Sequence, residues 1–184
     1  HHASSAASDV YKRQIYVSRI LAYYGDNQDT APGFEWLRKL DENTGSYAAM
    51  PTLMYQKLAS GEGDVTLWNM PDMMLQKNLN GYPFGFVIPE SGTVVVTDGI
   101  AVIANASEPV LARKFYEFVT SKEALVRQAV ENYRIPSRKD IPPTDLPEWM
   151  RTPINAVNID WKLFADKGEE WMKYWDENIR NQGK

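Results

Sequence analysis

Apolar residues recur at spacings of three and four along seven stretches of the chain, which is the spacing of one face of an α-helix. Pro51 suits the first turn of one such stretch, and Gly81 suits the end of another. Thr120 and Glu123 form a capping-box pattern between two others. The pattern predicts helices over residues 15–24, 33–40, 51–58, 69–80, 108–120, 121–132 and 159–179.

Shorter apolar runs lie between several of these predicted helices and are typical of β-strands. They cover residues 64–68, 82–88, 94–96 and 100–104. Because short strands alternate with helices, the pattern predicts an α/β fold in which helices cover a sheet.

Residues 1–14, HHASSAASDVYKRQ, differ from the rest of the chain. They are mostly small and polar, without the apolar core of a signal peptide or the periodicity of a helix. The string resembles translated adapter or linker sequence at the end of an assembled reading frame; a native disordered tail is the alternative. We predict a disordered, non-native leader, which would leave the natural N-terminal part and any export signal outside this sequence.

Composition narrows the possible functions. A hydrophobic fraction of 43% and a charged fraction of 24% are typical of a globular protein. The net charge is −4 and the basic residues are scattered, which argues against nucleic acid as a partner. The chain has no cysteine, and both histidines lie in the leader, so the common nucleophile–base pairs cannot be built. We therefore expect no enzyme activity, no cofactor and no metal site.

The clearest candidate for ligand binding is Trp68-Asn69-Met70-Pro71-Asp72, where a predicted strand leads into a helix. Ligands of open α/β sheets bind at the carboxyl ends of strands, where free helix N–H groups also point. Trp68 would stack on a ligand, Asn69 would hydrogen-bond to it, and Asp72 would pair with a cationic group. The structural alternative makes Trp68 a core residue, Asn69 a helix cap and Asp72 a first-turn residue that favours the helix dipole.

Two further places offer polar groups for a ligand. Thr52 lies at the start of a predicted helix and offers a hydroxyl, or alternatively only caps that helix. Tyr133 and Arg134 follow another helix, and an arginine there can grip a carboxylate or phosphate with two hydrogen bonds. A surface salt bridge is the alternative for Arg134. The tryptophans of the last predicted helix are assigned to packing rather than to a sugar platform.

Four motifs follow one another in an order known from one protein family. They are LASGEGDV at 58–65, VIPESGT at 87–93, the stretch from Gly99 through FVTSKEA to residue 124, and YRIP at 133–136 followed by Arg138. Over roughly residues 33–180 they resemble the type II periplasmic solute-binding proteins of ABC importers. The similar branch includes binders of ferric iron, phosphonate, thiamine and polyamines.

The resemblance implies a fold of two lobes that close on a solute by hinge motion. Residues 15–98 and 141–184 would form the C-terminal lobe, and residues 99–140 would be part of the N-terminal lobe. Such a protein holds a small molecule in the cleft between its lobes and delivers it to an ABC permease in the inner membrane. It is periplasmic or extracellular, and monomeric when full length.

The solute is the most open part of this expectation. The iron binders of the branch use a pair of tyrosines after the GEAxV-like strand, where this chain has Trp68 and Asn69. The resemblance therefore favours a small organic solute, such as a polyamine, an amino-phosphonate or a sugar, over ferric iron, which stays the alternative. Alternatives of another class are a carboxylate-dependent α/β enzyme and a sensory ligand-binding module.

Overall fold

In a computed structural model of the chain, the described residues are 9–24, 28–48 and 50–183. The chain divides into two compact units. Unit 1 combines the two ends of the chain, His1–Asn69 and Ala156–Lys184, and unit 2 is the middle, Met70–Asn155. The lobe boundaries predicted above, after residues 98 and 140, fall elsewhere in the chain and stay predictions.

Unit 1 is built around three helices: α1 (Asp9–Tyr24), α2 (Ala31–Glu42) and α7 (Trp161–Asn178). Their apolar stripes meet in one core, because residues spaced by three or four lie on the same face of a helix. The core residues are Tyr16, Val17, Ile20, Phe34, Leu37, Trp171, Met172, Trp175 and Ile179. A short helix, α3 (Pro51–Ala59), adds the buried side chains of Met54 and Tyr55.

Close packing of α1 against α2 depends on a glycine. A Cβ added at Gly33 would lie 2.6 Å from the Cα of Ile20, which is closer than real Cβ contacts come. The observed packing of α1 against α2 therefore requires glycine at position 33, because any side chain would collide with Ile20.

Unit 2 contains α4 (Met70–Asn80), α5 (Pro109–Val119) and α6 (Lys122–Asn132), followed by the 3₁₀ turns Pro143–Asp145 and Glu148–Arg151. All seven predicted helices are thus present. The predicted capping box is wrong by one residue, because α5 extends to Val119 and uses Thr120 as its C-cap. Ser121, with extended backbone, is the N-cap of α6, and its hydroxyl accepts a hydrogen bond from the Ala124 N–H at 3.2 Å.

The predicted sheet is not confirmed, since no strand occurs within residues 9–24, 28–48 and 50–183. The four apolar runs are present as segments without regular secondary structure. A strand needs a neighbouring strand to complete its hydrogen-bond ladder. One backbone hydrogen bond of 2.8 Å does join distant parts of unit 2, from the Thr93 N–H to the Asn155 carbonyl.

Unit 2 also exposes many large apolar side chains. They come from the run at residues 95–103 and from α5: Val95, Val96, Ile100, Val102, Ile103, Val110, Leu111, Phe115 and Phe118. Soluble monomers rarely expose so many neighbouring apolar residues. We therefore expect these exposed side chains to promote self-association of the chain in solution.

Helix α1 begins at Asp9, inside the stretch predicted to be a disordered leader. Residues 9–14 are helical, contrary to that expectation. Asp9 suits a helix N-terminus, and Lys12, Arg13 and Gln14 have high helix propensity. The disorder predicted for residues 1–8, including His1 and His2, lies outside the described residues.

Candidate functional site

Two of the predicted ligand residues meet in unit 2. The Nη2 atom of Arg134 lies 3.0 Å from the Oδ1 atom of Asp72. The side chain of Asp72 is 24% exposed and that of Arg134 is 51% exposed, so solvent reaches both charges. They form an ion pair that a dissolved molecule can approach.

Local sequence explains why both groups are presented there. Asp72 is in the first turn of α4, where a carboxylate is favoured by the helix dipole. Helix α6 ends at Tyr133, whose backbone is left-handed with φ of 57°. The N–H groups of Tyr133 and Arg134 both donate to the Gln128 carbonyl, which ends the helix and directs the chain away from it.

Of the other four predicted ligand residues, Tyr133 lies in unit 2, and Trp68, Asn69 and Thr52 lie in unit 1. Trp68 is half-buried, and its ring meets the ring of Tyr55 edge-on at a centroid distance of 6.1 Å. Asn69 directly precedes α4. Thr52 is the second residue of α3 and is exposed. The N-cap of this helix is Met50, so Thr52 does not cap it. Trp68 thus packs on the helix that carries Thr52.

The structure therefore brings Asp72 together with Arg134, which Tyr133 precedes in the chain. The binding roles of Trp68, Asn69, Asp72, Thr52, Tyr133 and Arg134 stay predictions. Sequence reasoning missed Tyr55 as the partner of Trp68. Helical spacing could not signal this contact, because Trp68 lies outside the helix that carries Tyr55.

An open groove of about 640 Å³ lies in unit 1 between α2 and α7. The Phe34 and Tyr174 rings pack at 4.4 Å in it, and the Tyr174 hydroxyl accepts a 3.1 Å hydrogen bond from Arg38. Its charged groups largely pair with each other, as Lys167 does with Glu170 at 2.9 Å. This groove could not be predicted from the sequence. Periodicity identifies the apolar face of α7 but does not show which part of that face other helices leave exposed to solvent.

Trp171 and Trp175 are buried in the core, which agrees with their assignment to packing, whereas Trp161 of the same helix is 49% exposed. Among the described residues, no group of three or more His, Cys, Asp or Glu side chains is arranged to hold a metal ion. Likewise, none of the helices in the described ranges is long and apolar enough to cross a membrane.

Comparison with known proteins identifies the family. The model of the bacterial extracellular solute-binding proteins matches residues 4–161, which is most of the chain. No curated protein matches the chain. The chain belongs to the family of bacterial extracellular solute-binding proteins. The match begins within the predicted leader, whose non-native origin stays a prediction.

Family membership confirms the general prediction from the four sequence motifs. The role is extracellular solute binding for ABC transport, which places the protein in the periplasm or outside the cell. Such proteins take a small-molecule ligand, work with a transporter and are normally not enzymes. The type II fold is the one that the family suggests.

Proposed function

We propose that this chain captures a small charged organic solute and delivers it to the permease of an ABC importer in the inner membrane. Membership of the solute-binding family supports capture for transport. The observation that carries the choice of solute is the ion pair of Asp72 with Arg134. It presents one negative and one positive group side by side to solvent.

This pair differs from the other ion pairs between described residues. It joins the residues that are farthest apart in sequence. Its carboxylate is also the least exposed, at 24% against 41% or more for the others. The other pairs mostly join residues one helical turn apart, as expected for solvated helix surfaces.

The energetics allow a solute to replace the pair. An exposed ion pair contributes only about 0–1 kcal/mol, because water screens the charges. A solute that offers a phosphonate or carboxylate to Arg134 and an ammonium to Asp72 would replace one weak interaction with two charge-assisted hydrogen bonds. An amino-phosphonate offers one group of each charge. A polyamine would use Asp72 alone, and a neutral sugar would use neither charge.

Ferric iron is the less favoured solute. A ferric ion prefers several hard oxygen ligands, and Trp68 with Asn69 stands where the iron binders of the similar branch have two tyrosines. Asp72 offers a single carboxylate, which is already paired with Arg134, whereas a ferric ion needs several oxygen ligands. These features support an organic solute.

The test is calorimetric titration of the chain with 2-aminoethylphosphonate, spermidine, glucose and ferric citrate. We expect saturable binding of 2-aminoethylphosphonate without any product, and a loss of about tenfold or more in affinity for Arg134→Gln. Arg127→Gln is the matched control, because Arg127 lies in α6 and its ion pair with Glu131 joins neighbouring turns of one helix. It should leave binding unchanged.

The remaining outcomes separate the alternatives. Tight ferric binding that Arg134→Gln does not weaken would support the iron alternative. Chemical turnover of a bound compound would support the enzyme. Absence of binding by all four compounds would contradict the proposal.

A further inference from the structure

Asp41 is a buried carboxylate that solute capture does not use. It lies in the last turn of α2 and is 2% exposed. Its Oδ1 atom accepts hydrogen bonds from the Tyr47 hydroxyl at 2.5 Å and from the Asn181 N–H at 2.9 Å. Its Oδ2 atom accepts from the N–H groups of Gln182 at 3.1 Å and Gly183 at 3.0 Å. One carboxylate thus holds two segments that are far apart in sequence.

The position of Asp41 is costly without these partners. A negative charge in the last turn of a helix is disfavoured by the helix dipole. A buried charge is also destabilising unless hydrogen bonds satisfy it. Among the side chains that the structure describes, none forms a salt bridge with Asp41, and Arg180 instead pairs with Asp176 at 3.0 Å and lies over the rings of Tyr47 and Trp175. The neutral donors from Tyr47 and from residues 181–183 therefore stabilise the carboxylate.

The backbone after α7 is shaped to supply those donors. Asn181 has left-handed backbone with φ of 58°, which turns the chain so that three successive N–H groups face Asp41. Successive N–H groups in such a turn form a concave site for an anion. Gly183 lies so close to α2 that an added Cβ would meet the backbone of Glu42 at 3.0 Å. Residues 181–183 are thus fitted to this surface.

We propose that residues 181–183 form a strap that fastens the end of α7 to the connection between α2 and α3, with the ionised Asp41 carboxylate as its anchor. Loss of the anchor would release the strap and the Tyr47 segment together, because both donate hydrogen bonds to the same carboxylate. The α2–α3 connection leads into the helix that carries Thr52. Removal of residues 181–183 would therefore act on that connection.

The groups near the anchor set its response to pH. Burial would raise the pKa of Asp41, but the hydrogen bonds from Tyr47, Gly183, Asn181 and Gln182 lower it below its usual value of 3.8. Burial and the hydrogen bond to Asp41 raise the pKa of Tyr47, and the charge of Tyr16 adds a smaller contribution. Tyr47 therefore keeps its proton at neutral pH. Within the described part of the chain, Arg180 lies over the Tyr47 ring, and the exposed Glu42 is in the same helical turn as Asp41. The contribution of the Asp41 carboxylate to the stability of the strap is fully present above its usual pKa and is lost as the pH falls through the lowered pKa.

Hydrogen exchange of the full 184-residue chain, read by mass spectrometry, tests the strap. We expect Asp41→Asn to speed exchange about tenfold or more in peptides covering residues 179–183 and 43–48, while residues 165–175 of α7 stay protected. Glu42→Gln is the matched control, because it neutralises an exposed carboxylate in the same turn, and it should change exchange by less than about twofold.

Three results would overturn the proposal. The first is unprotected exchange of residues 181–183 in the unaltered chain. The second is equal protection of the strap in Asp41→Asn. The third is parallel loss of protection throughout α7, which would make Asp41 an ordinary part of the core. Tyr47→Phe is a second variant that removes one donor and leaves three, so it should loosen residues 43–48 more than residues 181–183.

Discussion

Replacing Trp175 by alanine is the sharpest test of the core of unit 1. Trp175 is 1% exposed, and its ring packs on Tyr16 at 4.7 Å and on Tyr47 at 5.5 Å between centroids. The guanidinium of Arg180 lies 5.7 Å from the same ring. One side chain therefore connects α1, α7 and the α2–α3 connection, and its removal leaves a cavity among all three.

The magnitude follows from the area that the ring buries. A buried tryptophan removes about 150–250 Å² from water, of which alanine would retain a small part. At about 25 cal/mol per Å², the loss is roughly 4 kcal/mol, within the range of about 3–5 kcal/mol found for such core truncations. This is a large fraction of the roughly 5–15 kcal/mol that stabilises a typical domain. We therefore expect Trp175→Ala to be folded only marginally.

Urea unfolding followed by circular dichroism at the helix band measures the effect without depending on tryptophan fluorescence. Trp161→Ala is the matched control, since Trp161 begins the same helix and is 49% exposed. It should cost less than about 1 kcal/mol. Equal destabilisation by the two variants, or a cost below about 1 kcal/mol for Trp175→Ala, would refute the assignment of the core to this face of α7.

Three further predictions follow from local contacts. Gly33→Ala should lower the melting temperature, at a cost of about 1–3 kcal/mol, because its Cβ would lie 2.6 Å from the Ile20 Cα. Gly85→Ala, with open space around it, should stay within about 0.5 kcal/mol of the original chain. Asp160→Ala should cost about 1 kcal/mol in urea unfolding, because the Asp160 side chain accepts the two N–H bonds that cap α7. The chain should self-associate in sedimentation runs, and Phe118→Ser should reduce this, since Phe118 is 67% exposed; an unaltered sedimentation profile would contradict that role.

Helix positions could be predicted from local pattern because the period of 3.6 residues is a property of the backbone itself. The cap of α6 shows the limit of this reasoning. Thr120 and Ser121 are neighbouring hydroxyl residues, and either can cap a helix. The choice depends on where α5 ends, since Thr120 is used there as C-cap and its hydroxyl donates to the Tyr116 carbonyl at 2.7 Å. Competition between two adjacent elements decided a point that the motif alone left ambiguous.

The predicted sheet shows a second limit. Alternating apolar residues at 82–88 mark a segment that is able to form a strand, but pairing needs a partner elsewhere in the chain. No strand occurs within the described residues, so the sheet implied by the sequence stays unconfirmed. Helical hydrogen bonds join residues four apart, whereas strand hydrogen bonds join residues at any separation.

Sequence alone determined the seven helices and the family motifs. It also identified Asp72 and Arg134 as candidate ligand residues, each at a different place in the chain. Tertiary structure decided which distant residues meet. Arg134 reaches Asp72, and the carboxylate of Asp41 reaches the N–H groups of residues 181–183. These contacts depend on how helices pack, and packing is set by the whole core rather than by a local run of residues. The same physical reason explains why burial of Trp175 and exposure of Phe118 could not be told apart from helical spacing, since both lie on apolar helix faces.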